Sequence, residues 1–216
     1  MATGRLVIGN RRYSSWSLRG WLAVRLADLD VTDEVIPMSE GATAAIKHGT
    51  PAGLVPYLEH EGVQVWETLA ICEYCAEIEP SLWPDGTAAR AEARSVSAEM
   101  HAGFRALRQA MPMNLGRSFA GAGRNAESLV DIARIEAIWA AALERHGGPF
   151  LFGEAFCAAD AMFAPVVARF LSYAPEISAV TAAYCAAVRA HRLVAQWYEL
   201  AAQEPDAWLL DKYERV

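Results

Sequence analysis

The stretch Leu6-Val7-Ile8-Gly9-Asn10-Arg11-Arg12-Tyr13-Ser14-Ser15-Trp16-Ser17-Leu18-Arg19, running on through LRGWLAVRLADL to Leu29, decides the fold. Leu6-Val7-Ile8 is a short apolar run and reads as a first β-strand. Leu18 to Leu29 carries apolar residues at helical spacing. Between them lies a serine-rich junction. A serine at such a place can cap the helix, because its hydroxyl accepts from the unpaired N–H groups of the first turn. The same helix end favours negative charge. Ser14 or Ser15 can therefore be a cap, or a hydroxyl donor that holds a thiolate or another anion. The rest of the chain decides between these readings.

At 216 residues the chain has room for one large domain or two small ones, and 54% hydrophobic with 21% charged residues describes a folded globule. A formal net charge of −7 argues against a nucleic-acid surface, which needs a basic face. The N-terminus lacks the layout of a signal peptide, and no apolar run approaches the roughly 20 residues of a membrane span. A cytoplasmic protein is expected. Cys72, Cys75, Cys157 and Cys185 are too few for a disulfide framework. Cys72-Glu73-Tyr74-Cys75 matches C-x-x-C, but it sits well inside a helical pattern, away from the electropositive helix start that activates a thiol. These cysteines read as buried and structural, and the redox position after the first strand holds Ser14-Ser15-Trp16-Ser17 instead.

Residues 1–79 mix strands and helices. Val31 to Met38 reads as a second strand, and Ser39 to Gly49 as irregular or shortly helical. Val55-Pro56-Tyr57-Leu58-Glu59 and Val63-Gln64-Val65-Trp66, joined across a Gly-containing turn, form a hairpin. A helix then opens at Glu67-Thr68. This order predicts a thioredoxin-like α/β domain rather than a doubly wound one, and neither a G-x-G-x-x-G nor a P-loop is present. Residues 80–87, with two prolines and a glycine, read as a linker. Residues 88–216 read as an all-α domain, with helices over 88–110, 127–146, 158–173 and two within 178–203.

Pro56 stands where a strand begins, although proline removes a ladder donor. A cis bond would turn Val55 outward, so that its N–H and C=O could pair with a peptide-like ligand. An ordinary trans edge proline is the alternative. Glu67-Thr68 places a carboxylate and a hydroxyl at a helix start just after a strand. Thr68 with the free N–H groups can bind a carboxylate and Glu67 an ammonium, together holding the zwitterionic end of an amino acid. The same pair also suits a plain helix cap.

Three motifs, in order and spacing, give the chain a resemblance to the cytosolic glutathione transferases over essentially its whole length. Ser14-Ser15-Trp16-Ser17-Leu18-Arg19 resembles the S-S-C-S-x-R of the zeta class and other serine-type members. Thr50-Pro51-Ala52-Gly53-Leu54-Val55-Pro56-Tyr57-Leu58 resembles N-P-x-G-x-V-P-x-L, whose proline is cis. Glu67-Thr68-Leu69-Ala70-Ile71-Cys72-Glu73-Tyr74 resembles E-S-x-A-I-x-x-Y.

The resemblance implies an enzyme that activates the glutathione thiol for attack on an electrophile, with glutathione as co-substrate and no other cofactor or metal. A detoxification role and a homodimer follow from it as well, the first domain packing on the partner's helices. It implies that Glu67 and Thr68 bind the γ-glutamyl group, that Val55, beside Pro56 and Leu54, pairs with the cysteinyl part, and that a serine holds the sulfur. Ser14 is favoured, with Ser15 as the alternative and Tyr13 as a rival. Trp16 replaces the zeta-class cysteine, which sets the chain apart from maleylacetoacetate-type isomerases. Leu54 replaces a common lysine, so Lys47, His48 or Arg12 would have to meet the glycyl carboxylate. Gly153 to Asp160 resembles the family's capping box, with Cys157 where a hydroxyl belongs and Asp160 still able to reach back.

For the electrophile, Met100, Phe104, Leu107 and Met111 form an apolar stripe on the helix predicted over 88–110. His101, Arg105 and Arg108 run beside it and, with Trp16, are candidates to face an anionic or carbonyl second substrate. A bundle core beside a solvated face explains the same pattern. Two further functions stay open: a binding protein that carries glutathione or apolar ligands without turnover, and a maleylacetoacetate-type isomerase.

Overall fold

The computed structural model describes residues 2–38 and 42–215, so Ser39 and Glu40 of the expected irregular segment lie outside the described residues. Strand β1 (Gly4–Ile8) leads through helix α1 (Ser15–Leu26) to β2 (Val31–Val35). Helix α2 (Ala42–Gly49) precedes the hairpin of β3 (Tyr57–His60) and β4 (Val63–Trp66), and α3 (Thr68–Ile78) follows it. The sheet runs β2-β1-β3-β4, with β1 parallel to β2 and antiparallel to β3, and Leu6 opposite both Asp33 and Leu58. This is the thioredoxin-like arrangement. The hairpin turn uses Glu61 and Gly62, both at positive φ (50° and 81°), as a tight turn matching strand twist requires. Strand β2 ends earlier than the sequence suggests. Ile36 N–H still donates to Ile8 O (2.8 Å), but Pro37 has no N–H to continue the ladder.

The remaining chain is helical: α4 (Thr87–Ala102), α5 (Arg105–Ala110), α6 (Ala126–His146), α7 (Ala158–Tyr173), α8 (Ala179–Ala190), α9 (Arg192–Ala202) and a short α10 (Asp211–Glu214). Residues 80–86 are less loose than their composition suggests, because Leu82 and Trp83 are buried. The single helix expected over 88–110 is two. Phe104 adopts a left-handed conformation (φ 55°, ψ 40°), and the Leu107 N–H of the new helix is taken by the Asp131 carboxylate of α6 at 2.9 Å. The apolar stripe runs on across the break, since Met100, Phe104, Leu107 and Met111 are all buried, so periodicity alone hides it.

Helix α7 is the centre of the molecule and packs on α1, α4 and α8. Its internal Pro165 disrupts the helical ladder. Buried arginines serve carbonyls there: Arg19 Nε donates to Met162 O (2.7 Å), and Arg169 Nη1 to Pro165 O (3.0 Å). At its start the buried Asp160 accepts from Cys157 N–H (2.9 Å), Leu151 N–H (3.0 Å) and Tyr184 O–H (3.0 Å). Cys157 occupies the cap position and Asp160 does the capping. All four cysteines are free and buried, and burial pushes the Cys72 thiol well above its ordinary value and Cys75 up to about 12.

Candidate active site

Two cavities flank Trp16, which lines both. The first, about 240 Å³, lies between the loop before β3 and the start of α3. Its floor is the Val55–Pro56 pair, whose peptide bond is cis. The β3 ladder begins at Tyr57, after the proline, so no strand bond is lost there. Among the described residues the Val55 N–H and C=O pair with no other protein group. Helix α1 approaches Pro56 at Gly20, where an added Cβ would lie 2.7 Å from Pro56 Cγ. A glycine inside that helical pattern is the sequence signal for this close approach.

Glu67 and Thr68 form the far wall. Glu67 caps α3 with φ 67° and ψ 129°, a conformation that costs a non-glycine residue of order 1–3 kcal/mol and tends to be kept where the site needs it. Its side chain is more than half exposed and open to the cavity, whereas Thr68 is buried at the first helical position. His101 Nε2 sits 3.6 Å from Glu67 Oε2, and its ring meets Trp16 edge-on at 5.1 Å. Burial lowers the His101 pKa, helped by Arg19 and Arg108 and opposed by Glu67, so the imidazole is neutral at pH 7.

The second cavity, about 400 Å³, is lined by Ser14 and Ser15 at the start of α1, by Arg105 and Arg108 of α5, and by Arg169 and Tyr213. Ser14 is the N-cap of α1: its Oγ accepts from Ser17 N–H at 3.3 Å and lies 2.7 Å from Ser17 Oγ. Ser17 Oγ in turn accepts from Gly9 N–H at 3.0 Å, tying the helix start to the end of β1. Ser15 differs. It is half-buried at the first position of α1, and its hydroxyl makes no hydrogen bond among the described residues.

Tyr13 is already committed. Its O–H donates to Glu214 Oε1 (2.6 Å) and accepts from Leu210 N–H (3.2 Å). Burial and the Glu214 bond push its pKa up to about 12, which makes it a poor partner for a thiolate. Arg12 turns toward Glu214, and His48 Nδ1 pairs with Ala44 O. Neither of these, nor Lys47, lines the first cavity, so no cation stands ready there for a glycyl carboxylate.

The structure thus brings Leu54, Val55, Pro56, Glu67 and Thr68 to one cavity and Ser14, Ser15, Arg105 and Arg108 to the next, with Trp16 between them. His101 departs from expectation. It lines the first cavity with Glu67, not the second with the arginines, because the break at Gly103-Phe104 separates it from them. Sequence reading missed Arg169 and the C-terminal segment, whose apolar or charged residues carry no local mark of a site. Glu204 accepts from both the Arg11 and Arg12 N–H groups, Trp208 O from Asn10 Nδ2, and Glu214 from Tyr13, Asn114 and Arg117. The loop before Ser14 is therefore held by residues nearly 200 positions away in the chain.

Residues 13–78 match the family model described as "Glutathione S-transferase, N-terminal domain". A probable maleylacetoacetate isomerase of Caenorhabditis elegans is 29% identical over 160 residues, covering 73% of this chain and 74% of that protein. The maleylacetoacetate isomerase of Anaeromyxobacter dehalogenans, solved with glutathione in its active site, is 21% identical and superposes with a TM-score of 0.67 over 95% of this chain and 98% of that one. A monomeric glutathione S-transferase of the hookworm Necator americanus superposes with a TM-score of 0.73 at 18% identity, over 95% of this chain and all of that one (100%). These likenesses establish the fold along the chain. Among the described residues no helix is long and apolar enough to cross a membrane.

Proposed function

Because this chain belongs to the glutathione S-transferase family through residues 13–78, we propose that it binds glutathione across the two cavities and directs the thiolate at an electrophilic small molecule. The observation that carries this reading is the convergence of three separate stretches on Trp16. The unpaired Val55 backbone suits the cysteinyl peptide group. Glu67 suits the γ-glutamyl ammonium, and Thr68 with the α3 N–H groups suits its carboxylate. The serines at the α1 start suit the sulfur.

The energetics are sufficient. A thiol of pKa about 8.5 must be lowered by roughly 1.5 units to ionise near pH 7, or about 2 kcal/mol. A hydrogen bond to a charged group contributes about 1.5–3 kcal/mol, and a helix N-terminus about 0.3–1. In the reaction the thiol proton passes to solvent. The sulfur then forms a bond to carbon, displacing a leaving group or adding to an activated double bond.

Glutathione-dependent isomerisation is a second reading, favoured by the sequence likeness to the nematode protein. Trp16 in place of the zeta-class cysteine weighs against it. The test is calorimetric titration with glutathione, followed by turnover of a chlorinated nitroaromatic and of a hydroperoxide. Binding that drops at least tenfold in Glu67→Ala, with turnover in the wild type, supports the proposal. Glutathione binding without turnover of any electrophile leaves a carrier protein, and no binding refutes both. A cytoplasmic homodimer is part of the proposal, and sedimentation of the purified chain tests the dimer.

A further inference from the structure

The second cavity has an uncompensated cationic wall. Arg105, Arg108 and Arg169 line it, and no aspartate or glutamate does. None of the three forms a salt bridge among the described residues, and neither does the fully buried Arg19 behind Trp16. In a chain of net charge −7, such a concentration of one sign runs against the overall composition. Two members have structural duties. Arg19 Nε and Arg169 Nε donate to Met162 O and Met111 O, at 2.7 and 2.8 Å. Arg108 has none: its Nε is buried without a hydrogen-bond partner, and its guanidinium lies 5.3 Å from the Trp16 ring centre. The nearest acid, Asp131, is already engaged by the Leu107 N–H.

A partly buried guanidinium without a counter-ion is costly, and anion binding relieves that cost. Burial and Arg105 lower the Arg108 pKa, and burial with Arg108 lowers Arg169 to about 10, as expected of cations crowded without acids. The break at Gly103-Phe104 produces the arrangement, since it starts a new helix whose Arg105 and Arg108 both reach the cavity that holds the serines. Opposite them Trp16, Met38, Met113 and Tyr213 provide an apolar face.

We propose that the electrophile taken by this cavity is a small molecule carrying a carboxylate, with Arg108 and Arg105 as the residues that select it. The apolar face takes the unsaturated or aromatic carbon skeleton, and the arginines take the anion beyond it. The inference rests on the glutathione reading above.

Its test uses three ligands in calorimetric titration of the whole chain: glutathione, its conjugate with a nitrobenzoate, and its conjugate with the matching nitrobenzamide. The wild type is expected to bind the carboxylate conjugate at least tenfold more tightly than the amide, with the difference shrinking as salt rises. Arg108→Leu removes that preference and Arg108→Lys restores part of it, while the amide conjugate and glutathione change less than threefold. Equal affinity for the two conjugates in the wild type overturns the inference. So does a loss of glutathione affinity in Arg108→Leu as large as the loss for the carboxylate conjugate, because the arginines then serve the glycyl carboxylate. A wild type that binds none of the three overturns the glutathione reading itself.

Discussion

Replacing Ser14 and Ser15 one at a time separates two functions that adjoin in the chain. Ser14 Oγ accepts from Ser17 N–H and contacts Ser17 Oγ, whereas the Ser15 hydroxyl opens to the second cavity without a protein partner. Ser14→Ala removes a cap worth about 0.5–2 kcal/mol and should lower the melting temperature by roughly 2–4 °C per kcal/mol for a chain of this size. Ser15→Ala should leave stability within about 0.5 kcal/mol, as for a substitution that removes no protein contact. Its effect falls on the sulfur. Losing a hydrogen bond to a thiolate costs about 1.5–3 kcal/mol, which raises the pKa of bound glutathione by about 1–2 units at 1.36 kcal/mol per unit. Ultraviolet thiolate absorbance of the glutathione complex, titrated against pH in both variants beside thermal melts, reads both quantities. A thiol pKa raised by Ser14→Ala and unmoved by Ser15→Ala would refute the assignment, showing that the capping hydroxyl turns to the sulfur when glutathione binds.

Three further outcomes follow from the same geometry. His101 is neutral at pH 7 with a pKa depressed by burial, so it favours the folded state above its unfolded pKa near 6.5 and loses that contribution as pH falls through the lower folded value. Protonated His101 beside Glu67 would also repel an ammonium, so glutathione affinity should weaken below about pH 6 in the wild type, and much less in His101→Asn, by calorimetry. Burial raises the Glu214 carboxyl, but the hydrogen bonds from Tyr13, Arg117 and Asn114 prevail and hold it below its ordinary value. Docking of residues 206–214 should therefore hold above about pH 4.5 and fail as pH drops further, with Glu214→Gln loosening it at pH 7; limited proteolysis near the C-terminus reports both. Asp160→Ala strands the N–H groups of Cys157 and Leu151 and the hydroxyl of Tyr184, so a loss of about 3–5 kcal/mol in chemical denaturation is expected, whether or not glutathione is present.

Much of this molecule is readable from local pattern. The β1-α1 junction at Ser14-Ser15, the hairpin around Glu61-Gly62, the α3 start at Glu67-Thr68 and the Asp160 cap each depend on interactions spanning a few residues, and a hydroxyl or carboxylate near a helix start has few alternatives. The helix break at Gly103-Phe104 escaped because its determinant, Asp131, lies a helix away and the apolar stripe crosses it uninterrupted. The positions of His101 and the arginines in separate cavities follow from that break.

By itself, the sequence determined which elements form and which residues gather at helix starts after strands, since capping, periodicity and turn chemistry act over short range. The availability of each side chain for chemistry was settled only by tertiary structure. Tyr13 is committed because Glu214 returns from the far end of the chain, Ser14 because Ser17 turns inward beneath Gly9, and Arg108 stays unpaired because packing leaves it no acid within reach. A polar group's partners are fixed by closure of the whole fold, and its neighbours in sequence do not specify them.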